Sequence, residues 1–219
     1  MWQALVDGMR IVIDSLYAFT AVIGVPSYAL AIVLLTVVVK VALYPLSKKQ
    51  MKSMKMMQQL APKIKEIQDK YKNKDPQKMQ QKIMELYKQH NVNPAAGCLP
   101  ILIQMPILIA LYRALLNYDF INHEHAYLFG IYLAEKDPTF ILPVLAAVTT
   151  FLQSKLTTNT ADQTQKTMLY TMPLFLGWIA ATVPSGLALY WVSFNVVGTI
   201  QQYHINKQVL ATEKGVAEN

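Results

Sequence analysis

Five long apolar blocks constrain this chain more than any other feature. They cover 28–45, 98–118, 138–156, 168–183 and 187–205, and the only Lys, Arg, Asp or Glu residues inside them are Lys40, Arg113 and Lys155. A helix of about 17–25 mostly apolar residues is long enough to cross a bilayer. Hydrophobic residues make up 53% of the 219, and they fall in runs rather than at the intervals of a half-buried surface helix. The pattern predicts an all-α membrane protein with five transmembrane helices. The fourth block has 16 residues, about 24 Å of helix, which implies a locally thinned bilayer or tilted neighbours.

Charge sets the expected orientation. Residues 46–94 carry 12 lysines against Glu66, Asp69, Asp75 and Glu85, a net +8, while 119–137 carry Lys136 against Asp119, Glu124, Glu135 and Asp137, a net −3. The positive-inside rule then places the lysine-rich segment in the cytoplasm and the acidic loop outside. The N-terminus is outside, and the tail 206–219, with Lys207 and Lys214, is inside. A basic segment beside a membrane helix points to anionic lipid headgroups or ribosomal RNA. No cleavable signal is expected, since residues 1–27 hold Asp7 and Asp14 and lack a basic leading region.

Two further segments complete the chain. In 1–25, Leu5, Met9, Val12, Ile13, Leu16 and Phe19 form one helical stripe, with Gln3, Asp7, Arg10 and Asp14 off it. That reads as an amphipathic helix on the outer interface. In 47–92, Met51, Met54, Met57, Leu60, Ile64, Ile67 and Tyr71 repeat at helical spacing, "NKDP" at 73–76 breaks the run, and Met79, Ile83, Leu86 and Tyr87 resume it. This is a helical hairpin, its methionines either plain packing or an adaptable apolar surface.

Lys40 is the only charge in 28–44. A lysine at the centre of a spanning helix costs about 2.5–3.5 kcal/mol on insertion scales. Two readings stay open: it snorkels to the cytoplasmic headgroups past Leu46, about 9 Å away along a helix, or it faces a polar groove. Thr36 shares its helix face, and Gln104, Gln153 and Asn195 lie in other blocks, with Trp191 one turn before Asn195. Each alone reads as interhelical glue; together with the cation they read as a groove lining, to which Tyr190 is added.

Catalytic chemistry is not indicated. The sequence has no phosphate-binding glycine loop, dinucleotide fingerprint or zinc-protease helix, and Cys98 is its only cysteine. "HEH" at 123–125 has no nearby histidine or cysteine to complete a metal site. No cofactor is expected.

"VKVALYPLSKKQ" (39–50), "NPAAGCLPILIQMPILIALYRAL" (93–115), "DPTFILPVLAAVTTFLQ" (137–153) and "PSGLALYWVSFNVVGTIQQY" (184–203) resemble, in order, signature stretches of the YidC/Oxa/Alb family of membrane protein insertases. The likeness covers about 28–205. It implies five transmembrane helices around a hydrophilic groove open to the cytoplasm and the lipid, in a bacterial plasma membrane. With no large folded domain ahead of the core, the chain looks like the family's short Gram-positive-type form. The family's groove carries a basic residue in the first span, usually arginine, and Lys40 stands at that position; Thr36, Gln153 and Trp191 fall at groove or substrate-contact positions. The implied activity is insertion and chaperoning of nascent membrane proteins with acidic or hydrophilic N-terminal tails, without nucleotide hydrolysis. The implied partners are the ribosome and signal recognition machinery, met by the hairpin and tail, the Sec translocon and the lipid bilayer. A small-solute transporter with Lys40 as anion site would show inverted repeats, and none is visible. An intramembrane protease would need a serine or aspartate nucleophile deep in a span.

Overall fold

The computed structural model describes residues 2–71, 74–90, 92, 99–116, 118, 120–157 and 163–217. Cys98, Asn73 of the predicted break and Asp119 of the acidic loop lie outside them. The chain is helical as expected: α1 (Trp2–Val22), α2 (Tyr28–Ala42), α3 (Tyr44–Tyr71), α4 (Pro76–Gln89), α5 (Leu99–Leu115), α6 (Ile141–Thr157), α7 (Gln163–Ala180) and α8 (Ser185–Ala217). Between α5 and α6 come a 3₁₀ turn, His123–His125, and a two-stranded hairpin, β1 (Tyr127–Leu128) and β2 (Ile131–Tyr132). Its register pairs Tyr127 with Tyr132 and Leu128 with Ile131.

Local chemistry sets the helix ends. After α1, Gly24 takes φ +84°, Val25 N–H donates to Thr20 O and Gly24 N–H to Ala21 O, both at 3.0 Å. This is the Schellman arrangement, which needs a left-handed residue at that point. Ser27 then caps α2, its Oγ accepting from Leu30 N–H at 3.3 Å. Pro45 has no N–H to continue α2, yet is tolerated in the first turn of a new helix. The two helices are accordingly bent by 65° at their break. Asp75 caps α4, accepting from Lys78 N–H at 2.9 Å, with Pro76 at the first helical position. In the β1–β2 turn both Phe129 (φ 50°) and Gly130 (φ 84°) are left-handed, as the tight primed hairpin turn requires.

α6, α7 and α8 pack together, α2 lies against α8 and α1, and α4 folds back on α3. α6 and α7 touch closely because Gly177 has no side chain: a Cβ there would stand 2.9 Å from Ala147 Cβ. The core runs through Ile13, Tyr28, Ile32, Leu111, Leu115, Leu133 and Tyr190, all fully buried or nearly so. At one end it is closed by an aromatic cluster in which Tyr17 stacks on Tyr28 at 4.0 Å and Phe120 meets Tyr28 edge-on at 4.6 Å. Tyr17 Oη lies 2.7 Å from His125 Nδ1, and Tyr118 donates to Asp14. The same end seats α8. Ser185 N–H donates to Glu135 O at 2.6 Å, Gly186 N–H to Leu133 O at 2.9 Å, and Ser185 Oγ to Tyr132 O at 2.5 Å. Groups that a helix start leaves unpaired are thus met by the preceding loop.

On α1, Val6, Ile13, Tyr17 and Thr20 pack inward, while Leu5, Val12 and Phe19 of the predicted stripe are exposed. The structure departs from the sequence reading in two places. α7 has 18 residues and begins at Gln163, so it reaches about 27 Å rather than 24. Finally, among the described residues no single helix is long and apolar enough to cross a membrane; α2 and α3 together are, across their bend.

Asp137 is 3% exposed and anchors the start of α6. Its carboxylate accepts from Thr139 N–H (2.8 Å), Thr139 Oγ (2.6 Å) and Leu142 N–H (2.8 Å). Burial opposes its charge, but the bonds from Thr139 and the backbone of Leu142 and Phe140 outweigh it and hold the carboxyl below its ordinary range. A lowered pKa stabilises the fold fully above about pH 3.9, and the contribution fades as pH falls through the folded value. Asp137→Ala is expected to cost about 1 kcal/mol at neutral pH. Melting of both proteins in detergent across pH 7 to 3 checks it: the gap in Tm narrows at the acid end.

Candidate functional site

A cavity of about 250 Å³ opens between the last turn of α2, the first turns of α3, and parts of α5, α6 and α8. That is room for several waters, each taking about 30 Å³ in the liquid. Lys40 enters it from α2. The residue is only 7% exposed, and Nζ lies 3.3 Å from the centre of the Phe194 ring, a close cation–π contact. Among the described residues none of those lining the cavity is acidic, so none of them neutralises this charge.

Gly198 determines where the cation rests. A Cβ there would come within 2.7 Å of Lys40 Nζ and 2.6 Å of Gln153 Nε2. Both side-chain ends use the space the glycine leaves bare. Gln201 Nε2 donates to Lys40 O at 3.2 Å and ties the frayed end of α2 to α8.

Glutamine dominates the polar lining: Gln50 from α3, Gln104 from α5, Gln153 from α6, and Gln201 and Gln202 from α8. Gln104 Nε2 donates to Tyr190 Oη at 2.8 Å, while its Oε1 is buried without a partner. Gln50 is 8% exposed, and its Nε2 is likewise buried and unpartnered. Uncompensated polar atoms of this kind are rare in folded proteins and mark places where water or a ligand completes the bonding.

Of the residues singled out from sequence, Lys40, Gln104 and Gln153 meet at this cavity. Tyr190 stands behind Gln104 as its partner. Thr36 is fully buried, donating to Ile32 O at 2.9 Å within its own helix, and is not in the lining. Asn195 Nδ2 donates to Thr150 Oγ at 2.8 Å and Thr149 Oγ at 3.2 Å, which binds α8 to α6. Trp191, half-buried on α8, does not line the cavity either. Gln50, Phe194, Gly198, Gln201 and Gln202 line it without having been singled out. On α8 the spacing 194, 198, 201 and 202 marks one helix face and could have pointed to four of them.

Comparison with known proteins gives the family. A family model described as 60Kd inner membrane protein matches residues 18–213. The membrane protein insertase YidC of Geobacter sulfurreducens is 42% identical over 187 residues, 85% of this chain and 35% of the relative. That of Wolinella succinogenes is 44% identical over 208 residues, 94% of this chain and 38% of the relative. For Helicobacter pylori the figures are 39% over 213 residues, 97% and 38%. A crystal structure of an active YidC insertase with its first transmembrane domain resolved superposes with a TM-score of 0.71 at 29% identity, covering 93% of this chain and 46% of that one. The chain therefore spans little more than a third of the curated relatives it matches, and in fold and sequence it belongs to the 60Kd inner membrane protein family, that of the YidC/Oxa membrane protein insertases.

Proposed function

We propose that this chain is a membrane protein insertase whose cavity is the mouth of a hydrated groove within the bilayer. The observation that carries the reading is Lys40, a buried cation in a glutamine-lined cavity whose wall, among the described residues, holds no acid. A resting protein gains little from such a charge, because its desolvation is met by the Phe194 ring and by no acid among the described lining residues. A translocating acidic segment would compensate it.

In this reading α2, α5, α6, α7 and α8 are the five spans, α1 lies on the outer interface, and α3 and α4 form the cytoplasmic hairpin. The N-terminus is outside and the C-terminus inside, as the lysines of 46–94 and the acids of 119–137 favour. Spans of 15 to 18 residues, such as α2 and α7, are shorter than the roughly 20 that cover a full hydrocarbon core, so the bilayer thins around them. A polar tail then has less hydrocarbon to cross, and burial of the substrate's own apolar span, at about 25 cal/mol per Å², draws it out into lipid. No nucleotide is required. The hairpin receives the chain from the ribosome and the signal recognition machinery, and the Sec translocon is a further partner.

The test is reconstitution. A single-spanning substrate with an acidic N-terminal tail is offered to proteoliposomes holding the wild-type chain and to empty liposomes. Protease added outside should spare the tail in the first and digest it in the second. Equal digestion in both, with folded protein present, would sink the reading.

A further inference from the structure

We propose that the cavity recognises the main chain of the segment it passes, through glutamine amides, independently of that segment's side chains. The inference rests on the insertase reading and adds what the groove binds. A polar tail leaving water carries one N–H donor and one C=O acceptor at nearly every residue, and each is costly to strip of partners. A single cation meets an acidic side chain but does nothing for these groups.

The cavity holds what they need. A primary amide both donates and accepts, as a peptide group does, and five of them line this one space. Two are held unmet. Gln50 Nε2, on α3, is a buried donor without an acceptor, and Gln104 Oε1, on α5, is a buried acceptor without a donor. Gln104 is oriented by its bond to Tyr190, itself 1% exposed. An inorganic anion or a carboxylate could accept from Gln50, but it offers no hydrogen to Gln104 Oε1. A peptide strand offers both. The methionines beside Gln50, Met51 and Met54, supply an adaptable apolar wall that discriminates little among side chains. Charge and backbone are thereby read by different residues: Lys40 by charge, the amides by peptide groups.

The experiment uses the full chain in proteoliposomes and substrates with tails of equal length. One tail is acidic, one is neutral (Gly, Ser and Asn), and one is the neutral tail with alternate peptide bonds replaced by esters. An ester lacks the N–H and is cheaper to desolvate, so a groove that supplies only water passes it at least as fast as the amide tail. Amide recognition predicts the opposite, with the ester tail about fivefold slower in the wild type. This arm needs no variant and is free of folding effects. Gln50→Leu with Gln104→Leu should slow the acidic and neutral amide tails alike by about tenfold and erase the amide–ester difference. Lys40→Gln should slow the acidic tail alone. Ester insertion as fast as amide insertion overturns the proposal while leaving the insertase reading intact. Failure of every tail to gain protection over empty liposomes overturns both.

Discussion

If the proposed insertase reading holds, Lys40→Gln is expected to lower insertion of an acidic-tailed substrate by roughly ten- to a hundredfold, and Lys40→Arg to restore most of it. The magnitude follows from a hydrogen bond to a charged group, about 1.5–3 kcal/mol, formed as the acidic segment passes and absent beforehand. Only such differential interactions speed a process. Glutamine keeps the polarity of the side chain and most of its length but not its charge. Arginine keeps the charge, adds a planar fork for carboxylates, and can stack on Phe194, over which Nζ now lies. A second readout separates this role from anchoring. A buried cation without a paired acid is an expense to the resting fold, so Lys40→Gln melts at or above the wild-type temperature. Unchanged insertion in both variants would mean that Lys40 only snorkels towards the headgroups.

Gly186→Val is expected to destabilise the fold by about 3 kcal/mol or more, at the upper end of overpacking costs. Any Cβ at this position would stand 3.0 Å from Leu115 Cδ1, 3.0 Å from Leu133 O and 3.2 Å from Ile32 Cδ1. Leu133 O is also the acceptor of the Gly186 N–H, so the clash pushes apart the atoms that a hydrogen bond holds together. Leu115 and Ile32 are core residues with no exposed surface to yield into. Gly8 is the control: nothing lies within 4 Å of its added Cβ, and in the middle of α1 Gly8→Ala should stabilise by up to about 1 kcal/mol. Thermal unfolding in detergent measures both. A Gly186→Val protein that melts like the wild type would show that the seat of α8 on the 132–135 loop gives way without cost.

The helices were legible because apolar runs and turn residues are local signals, and their ends were less so. The apolar block at 168–183 begins five residues after α7 does, since Gln163–Thr167 are helical without being apolar. α8 likewise runs on to Ala217 beyond the block ending at 205. Hydropathy reports the expected solvent of a residue, and helicity does not depend on it. Which residues of α1 pack inward was less legible for a related reason. Hydropathy ranks leucine and phenylalanine above tyrosine and threonine, yet Tyr17 and Thr20 are buried while Leu5 and Phe19 are not.

Site residues were legible only by contrast. Lys40, Gln104 and Gln153 stand out as polar groups in apolar runs, and they meet at the cavity. Asn195 stands out equally, yet its amide is spent on Thr149 and Thr150. Contrast identifies a buried polar group without saying whether a partner awaits it. Gln50 lies in "SKKQMKS", where a glutamine among lysines carries no signal at all. Only the 65° bend of the chain from α2 into α3 brings it to the cavity.

That bend hangs on Pro45, five residues after Lys40. Where α2 stops and α3 starts is decided by the proline, and the side chains α3 presents are then counted from it. One residue added between Lys40 and Pro45 would rotate α3 by about 100° relative to α2, carrying Gln50 and Met54 away from the wall they share with Lys40. The interval is therefore as much a part of the site as the residues at its ends, and a chain could keep every lining residue and still lose the site by miscounting.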